Sequence, residues 1–312
     1  MRMLLIAAAA VLAAGSAAAQ QAEAWYPSKY GAADTLGAVN NLSQAGVKRA
    51  VGLVKQGKVY ALGIPTGPQS AAFGERRYTA EISPAPGVVV APVGASLVTA
   101  HDEKVTTSMG IGTQMDGLGH LGINHRYYNG LTSAEMNVAG GFKTLEMSNI
   151  PPIVTRGVLI NMARHFGKPM LAAGEAFNRP EIEAAMKAQK VTIGRGDVVL
   201  FHTGWMAMMS KDKAAYSTTE PGLGEGGARW LASLGVVAIG ADTIALEPLP
   251  FVQPDRPFVV HQTLLAKHGV HILENINTAP LAADGVSEFL FVLGQPRFVG
   301  TVQLVVNPIA IR

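Results

Sequence analysis

The chain has no cysteine, which excludes disulfides and thiolate metal ligands alike. Charge is sparse: Asp, Glu, Lys and Arg make up 15% of 312 residues, and the formal net charge is only +3. With no Lys/Arg cluster to focus it, so small an excess excludes nucleic acid as a partner. The apolar run at residues 4–14 is too short to span a bilayer. No G-x-S-x-G elbow occurs, so a serine hydrolase of that kind has no visible nucleophile. Two phosphate-loop imitations fail. In Gly52-Leu-Val-Lys-Gln-Gly-Lys58, Val59 stands at the Ser/Thr position, and the segment ends a helix. Residues 222–227 fit G-x-G-x-x-G, but Pro221 rather than a strand precedes them.

What remains is an ordinary globular composition, 48% hydrophobic, long enough to bury a sizeable core. Residues 1–20 read as a secretory signal, with Arg2 as the positive start, a short apolar stretch, and Ala17-Ala18-Ala19 as the cleavage site. The expected product is periplasmic or secreted, with no membrane contact after cleavage. No repeat or linker divides residues 21–312, which read as a single domain. Helices are expected at 43–56, capped by Ser43, at 180–189 and at 228–234. Strands are expected at 59–64, 96–100, 153–160, 197–201, 236–239 and 270–273, and residues 288–293 and 298–306 resemble a strand pair. The Gly- and Pro-rich stretch 65–87 reads as a loop long enough to be a lid. Irregular alternation of strands and helices gives the class α/β.

Chemistry concentrates in Gly110-Ile-Gly-Thr-Gln-Met-Asp-Gly-Leu-Gly-His120. Gln114 and Asp116, two apart, share one face of an extended segment. Gly117 and Gly119 allow a turn that returns His120 toward them. A second constellation runs from His261 to Glu274. Residues 262–268 read as two helical turns stopped by Gly269 and advance roughly 10 Å. The strand 270–274 returns roughly 16 Å, which ends Glu274 near His261. Acid, amide and imidazole at this spacing point to a metal or acid/base site. His165, His268 and His271 read as helix-end or surface histidines. Asp242 follows a buried strand and is expected to bind backbone near the site, and His202 reads as structural.

These segments resemble the metal-dependent cyclase/arylformamidase-like hydrolases, whose signature is H-x-G-T-H-x-D-x-P-x-H. The resemblance extends through Trp25-Tyr-Pro-Ser-Lys-Tyr-Gly31, Leu36-Gly-Ala-Val-Asn40, Tyr128-Asn-Gly130, His202-Thr-Gly-Trp205, Ile239-Gly-Ala-Asp-Thr243 and Val306-Asn-Pro-Ile-Ala-Ile-Arg312. It implies a swivelling β/β/α fold, a homo-oligomer, and metal-dependent hydrolysis of an amide, formamide, lactam or lactone in a small-molecule substrate. Carried across, Asp116, His261 and Glu274 are metal ligands and His120 is the catalytic proton shuttle. The two imidazoles of the motif fall on Gly110 and Gln114. Gln114 is kept as a ligand through its amide oxygen, weaker and harder than imidazole. So oxygen-rich a set favours one ion, with Mn, Zn and Mg all open and manganese or magnesium gaining on zinc. Trp25, Tyr128 and His125 are the substrate-binding candidates, with Tyr30 and Tyr127 as further aromatics. The loss of two ligands also admits a non-catalytic periplasmic binding protein on the same fold.

Overall fold

A computed structural model describes residues 25–312; the signal read at residues 1–20 lies outside them. Nine strands form one sheet: β1 (Val59–Ala61), β2 (Gln114–Asp116), β3 (Ile153–Asn161), β4 (Val198–His202), β5 (Ala238–Ala241), β6 (His271–Glu274), β7 (Glu288–Leu293), β8 (Gln303–Val305) and β9 (Ile309–Ile311). Their spatial order is β1-β9-β7-β3-β4-β5-β6-β2-β8. The four central strands β3, β4, β5 and β6 are parallel, and the strands on either side are antiparallel to their neighbours.

The central strands are continuous apolar runs because both faces are covered. In β4, Val199 and Phe201 pack with the helices α2 (Arg179–Gln189) and α3 (Glu225–Ser233), while Val198 and Leu200 face a second cluster with Phe289 and Phe291. The ends of α2 follow from sequence. Asn178 and Glu181 form a capping box, Pro180 sits in the first turn, and Lys190 closes the helix in the left-handed conformation. The early helix α1 (Gln44–Val51) starts where expected, with Ser43 Oγ accepting from Gly46 N at 3.0 Å. Among the described residues no helix is long and apolar enough to cross a membrane.

The structure corrects several expectations. Residues 96–100 are not a strand. An antiparallel pair, Tyr78–Ser83 with Asp102–Thr107, brackets them instead. Most residues of that pair are exposed, so they carry no apolar alternation to read. The segments around 288–293 and 298–306 do not pair with each other. β7 lies against β3 and β9, whereas β8 lies at the opposite end of the sheet against β2.

His271, read as a helix-end or surface residue, is fully buried in β6. Its Nδ1–H donates to the Asp116 carbonyl at 3.0 Å, and burial pushes its pKa down from 6.5 to about 4. The folded protein therefore holds this imidazole neutral, while the unfolded chain takes up a proton below pH 6.5. Stability from this source is complete above pH 6.5 and is lost as pH falls toward 4, by about 3 kcal/mol in total. Urea midpoints measured at pH 7, 5.5 and 4.5 should fall with pH, and His271→Gln should flatten the decline. An unchanged slope in the variant would assign the acid sensitivity elsewhere.

Candidate metal centre

The site forms where the parallel strands end and an antiparallel neighbour begins. Glu274 is the last residue of β6 and stands opposite Gln114, and Asp116 is flanked by Ile272 and Gln303 across the two ladders. Period-two alternation turns Gln114, Asp116, Glu274 and Gln303 toward one another. His261 arrives from above. It ends the short helix Val259–His261, which continues as a π-helix, Gln262–Lys267. The sequence reading of two helical turns returning through Gly269 holds. The ladder is widened to π, a distortion frequent at functional sites.

Ligating atoms of Asp116, His261 and Glu274 all lie within 4.8 Å of one another, and all three residues are buried. His261 Nδ1 donates to Glu247 Oε1 at 2.6 Å; Nε2 is 3.2 Å from Glu274 Oε1 and 3.6 Å from Asp116 Oδ2. Burial alone would lower the His261 pKa, but its hydrogen bonds to Glu247 and Glu274 raise it to about 10. Burial and the Asp116 charge push Glu274 up to about 7, against the opposing charges of His261 and Arg76. Without a metal, a protonated imidazole thus holds the acids together.

The donor set also fits a divalent cation. Asp116 Oδ2 is buried and has no hydrogen-bond partner, an arrangement that is costly unless something else satisfies it. With Nδ1–H held by Glu247, a neutral His261 directs its Nε2 lone pair at the same point; this carboxylate–imidazole pairing orients metal ligands. Gln114 Nε2 donates to Glu274 and lies 3.4 Å from Asp116 Oδ1. A half-turn of the amide brings its oxygen to the acids' side instead.

A cavity of about 200 Å³ opens onto this group, lined also by Phe73, Arg76, His120, Leu121, Ile244, Ala245 and Phe258. Phe73 and Arg76 come from the stretch read as a lid or binding loop, of which residues 78–83 are strand instead. His120 lines the cavity, and burial lowers its pKa, helped by the charges of His261 and Arg76 and opposed by Asp116. The ring is neutral near pH 7 and free to accept a proton.

The substrate-binding candidates Trp25, Tyr128 and His125 are not among the residues lining this cavity. Trp25 lines a larger one of about 670 Å³, with Lys29 and Arg229. The Tyr128 ring is in the core, its hydroxyl donating to Asp34 Oδ2 at 2.7 Å. His125 is exposed in a turn with φ 62°. Asp242 binds backbone as expected, accepting from Thr203 N and Gly204 N at 2.8 Å each.

Three contributors carried no sequence signal. Glu247 accepts from the backbone N–H groups of Val260 and His261 as well as from the imidazole. Gln303 Nε2 donates to Asp116 Oδ1 at 2.7 Å. Arg76 Nη1 donates to the Gly110 carbonyl at 2.8 Å. Gly110 leaves room for both: a Cβ would sit 2.7 Å from Arg76 Cζ and Gln303 Oε1, and those side-chain ends would have to shift. Glu220, fully buried, accepts from Ile244 N at 2.6 Å and Ala245 N at 2.9 Å and so fixes the cavity wall.

Comparison with known proteins gives a consistent result. The profile of the Cyclase family matches residues 28–248. No curated protein matches the chain. Among solved structures, a novel cyclase is 26% identical with a TM-score of 0.81, covering 91% of this chain and 98% of its own. An isatin hydrolase bound to the product analogue thioisatinate is 16% identical with a TM-score of 0.59, covering 87% and 97%. Isatin hydrolase A from Ralstonia solanacearum is 17% identical with a TM-score of 0.60, covering 86% and 95%. The mixed α/β sheet is therefore the fold of these proteins.

Proposed function

Because this chain belongs to the Cyclase family, we propose that it is a metal-dependent hydrolase cleaving an amide, formamide, lactam or lactone bond in a small molecule. One observation carries the reading: a buried Asp116 Oδ2 that accepts no hydrogen bond, beside His261 and Glu274. The solved structures of similar fold named as isatin hydrolases support the choice of reaction class. Asp116, His261 and Glu274 are the ligands, with Gln114 completing the set through its amide oxygen. These residues would hold a divalent ion, manganese or magnesium suiting so many oxygen donors, which would supply a lowered water pKa and polarisation of a carbonyl.

The remaining roles belong to the chain's own groups. Neutral His120 accepts the proton of the attacking water and returns it to the leaving nitrogen or oxygen. Glu247 fixes the His261 tautomer. Phe73, Leu121 and Phe258 keep bulk water from the cavity and accept an apolar ring. The reading includes export, supported by residues 1–20, and homo-oligomeric assembly, supported by the family resemblance.

Metal content and turnover test the reading together. Purified protein should hold about one ion per chain and hydrolyse at least one of a panel of N-formyl arylamines, lactams and lactones, with chelation abolishing turnover and Mn²⁺ restoring it. Active protein free of metal would sink the reading. Tight binding across the panel without turnover would favour a non-catalytic binding protein.

A further inference from the structure

We infer that Arg76 is a specificity-determining residue that anchors a carboxylate of the ligand. The inference rests on the hydrolase reading for its site but adds a ligand class to it. Arg76 lines the cavity alongside Asp116, His120, His261 and Glu274, yet no carboxylate among the described residues lies within ion-pair distance of it. Among the described residues its one hydrogen bond is from Nη1 to the Gly110 carbonyl. A guanidinium offers five N–H donors in a planar fork, so most of them remain for a ligand. Held half-buried at a low-dielectric wall, such a fork is matched in shape by a carboxylate, which it binds in bidentate fashion.

Gly110 makes room for this cation. A side chain there would push the ends of Arg76 and Gln303 out of their present positions. Gln303 in turn donates to Asp116, which ties the position next to Arg76 to the metal-ligand set. The cavity lining combines the acids and His261 with the cation Arg76, while Phe73, Leu121 and Phe258 are apolar. A small ring bearing a carboxylate satisfies the cation and the apolar wall together. The carboxylate has two sources, a substituent already on the substrate or the group unmasked when water adds across the scissile bond and the carboxyl ionises.

Calorimetric titration with benzoate and with benzamide, with and without Mn²⁺, tests the anchor without needing the natural substrate. Wild-type protein should bind benzoate, and Arg76→Met should weaken that binding at least ten-fold. Arg76→Lys should recover part of the loss, and benzamide should bind wild type and variant alike. Circular dichroism and Mn²⁺ affinity report whether Arg76→Met stays folded with its site intact. Two further arms separate the sources. A KM raised only for substrates carrying a carboxylate marks a substrate anchor. Relief of product inhibition with unchanged KM marks a product anchor. Benzoate binding that is absent in wild type, or equal in Arg76→Met, overturns the inference. The hydrolase reading fails separately, through absence of Mn²⁺ binding or turnover, because Arg76 is not one of the proposed metal ligands.

Discussion

Asp116→Asn is expected to leave a folded protein that neither holds a metal nor turns over. The change keeps size and shape but removes the negative charge and one of two acceptor oxygens. Oδ1 is committed to Gln303 at 2.7 Å, and Oδ2 is the buried atom that accepts no hydrogen bond. An amide placed here therefore loses the ligand or loses the hydrogen bond. Lewis-acid stabilisation is worth several kcal/mol at the transition state, so turnover should drop at least about 10³-fold. Metal analysis, single-turnover rates and a thermal melt check this together. A variant that retains one ion per chain and a rate within ten-fold of wild type would remove Asp116 from the site. Folding should survive because the substitution relieves repulsion: the Asp116 charge is one of the causes raising the pKa of Glu274.

Glu247→Gln is expected to weaken metal binding by about 10–100-fold, the usual cost of losing a partner that orients a ligand. Its carboxylate accepts from the His261 ring at 2.6 Å and from the backbone N–H of the same residue at 3.1 Å. The glutamine oxygen can still accept from Nδ1, so the ring keeps its place but loses an adjacent charge. In metal-free protein the His261 pKa, held near 10 partly by Glu247, should fall. Imidazole NMR titration reads that shift directly, a signature that a helix cap alone would not produce. Unchanged metal affinity and an unmoved titration would reduce Glu247 to a structural cap of the helix carrying His261.

The site was half legible in the sequence. Gln114, Asp116 and Glu274 could be placed together because strand periodicity is rigid and because a helix and its return strand have fixed lengths. The contact between His261 Nε2 and Glu274 Oε1 at 3.2 Å is what that geometry required. Arg76, Glu247 and Gln303 were illegible for a shared reason. No regular period of the chain projects any of them onto the site: Gln303 meets Asp116 across 187 residues, and even Glu247, 14 residues from His261, comes from a loop. Aromatic residues misled in the opposite way. Trp25 and Tyr128 look like ligand-facing rings in isolation, but the sequence does not say that Tyr128 is walled in by core residues and held by Asp34. Central strands were read correctly because burial on both faces writes an uninterrupted apolar run. The exposed pair at 78–83 and 102–107 leaves no such trace.

β8 (303–305) forms one edge of the sheet, and β9 (309–311) joins the opposite edge strand, β1, to the rest. β9 lies between β1 and β7, and β8 caps β2 beside the acids. A nascent chain that has emitted everything up to β7 therefore still shows two open ladders and lacks Gln303, which donates to Asp116. Such late, long-range closure implies slow folding and a period of exposed strand edges, the state most prone to self-association. Trimming as few as ten residues from the carboxyl terminus would leave the molecule permanently at that stage.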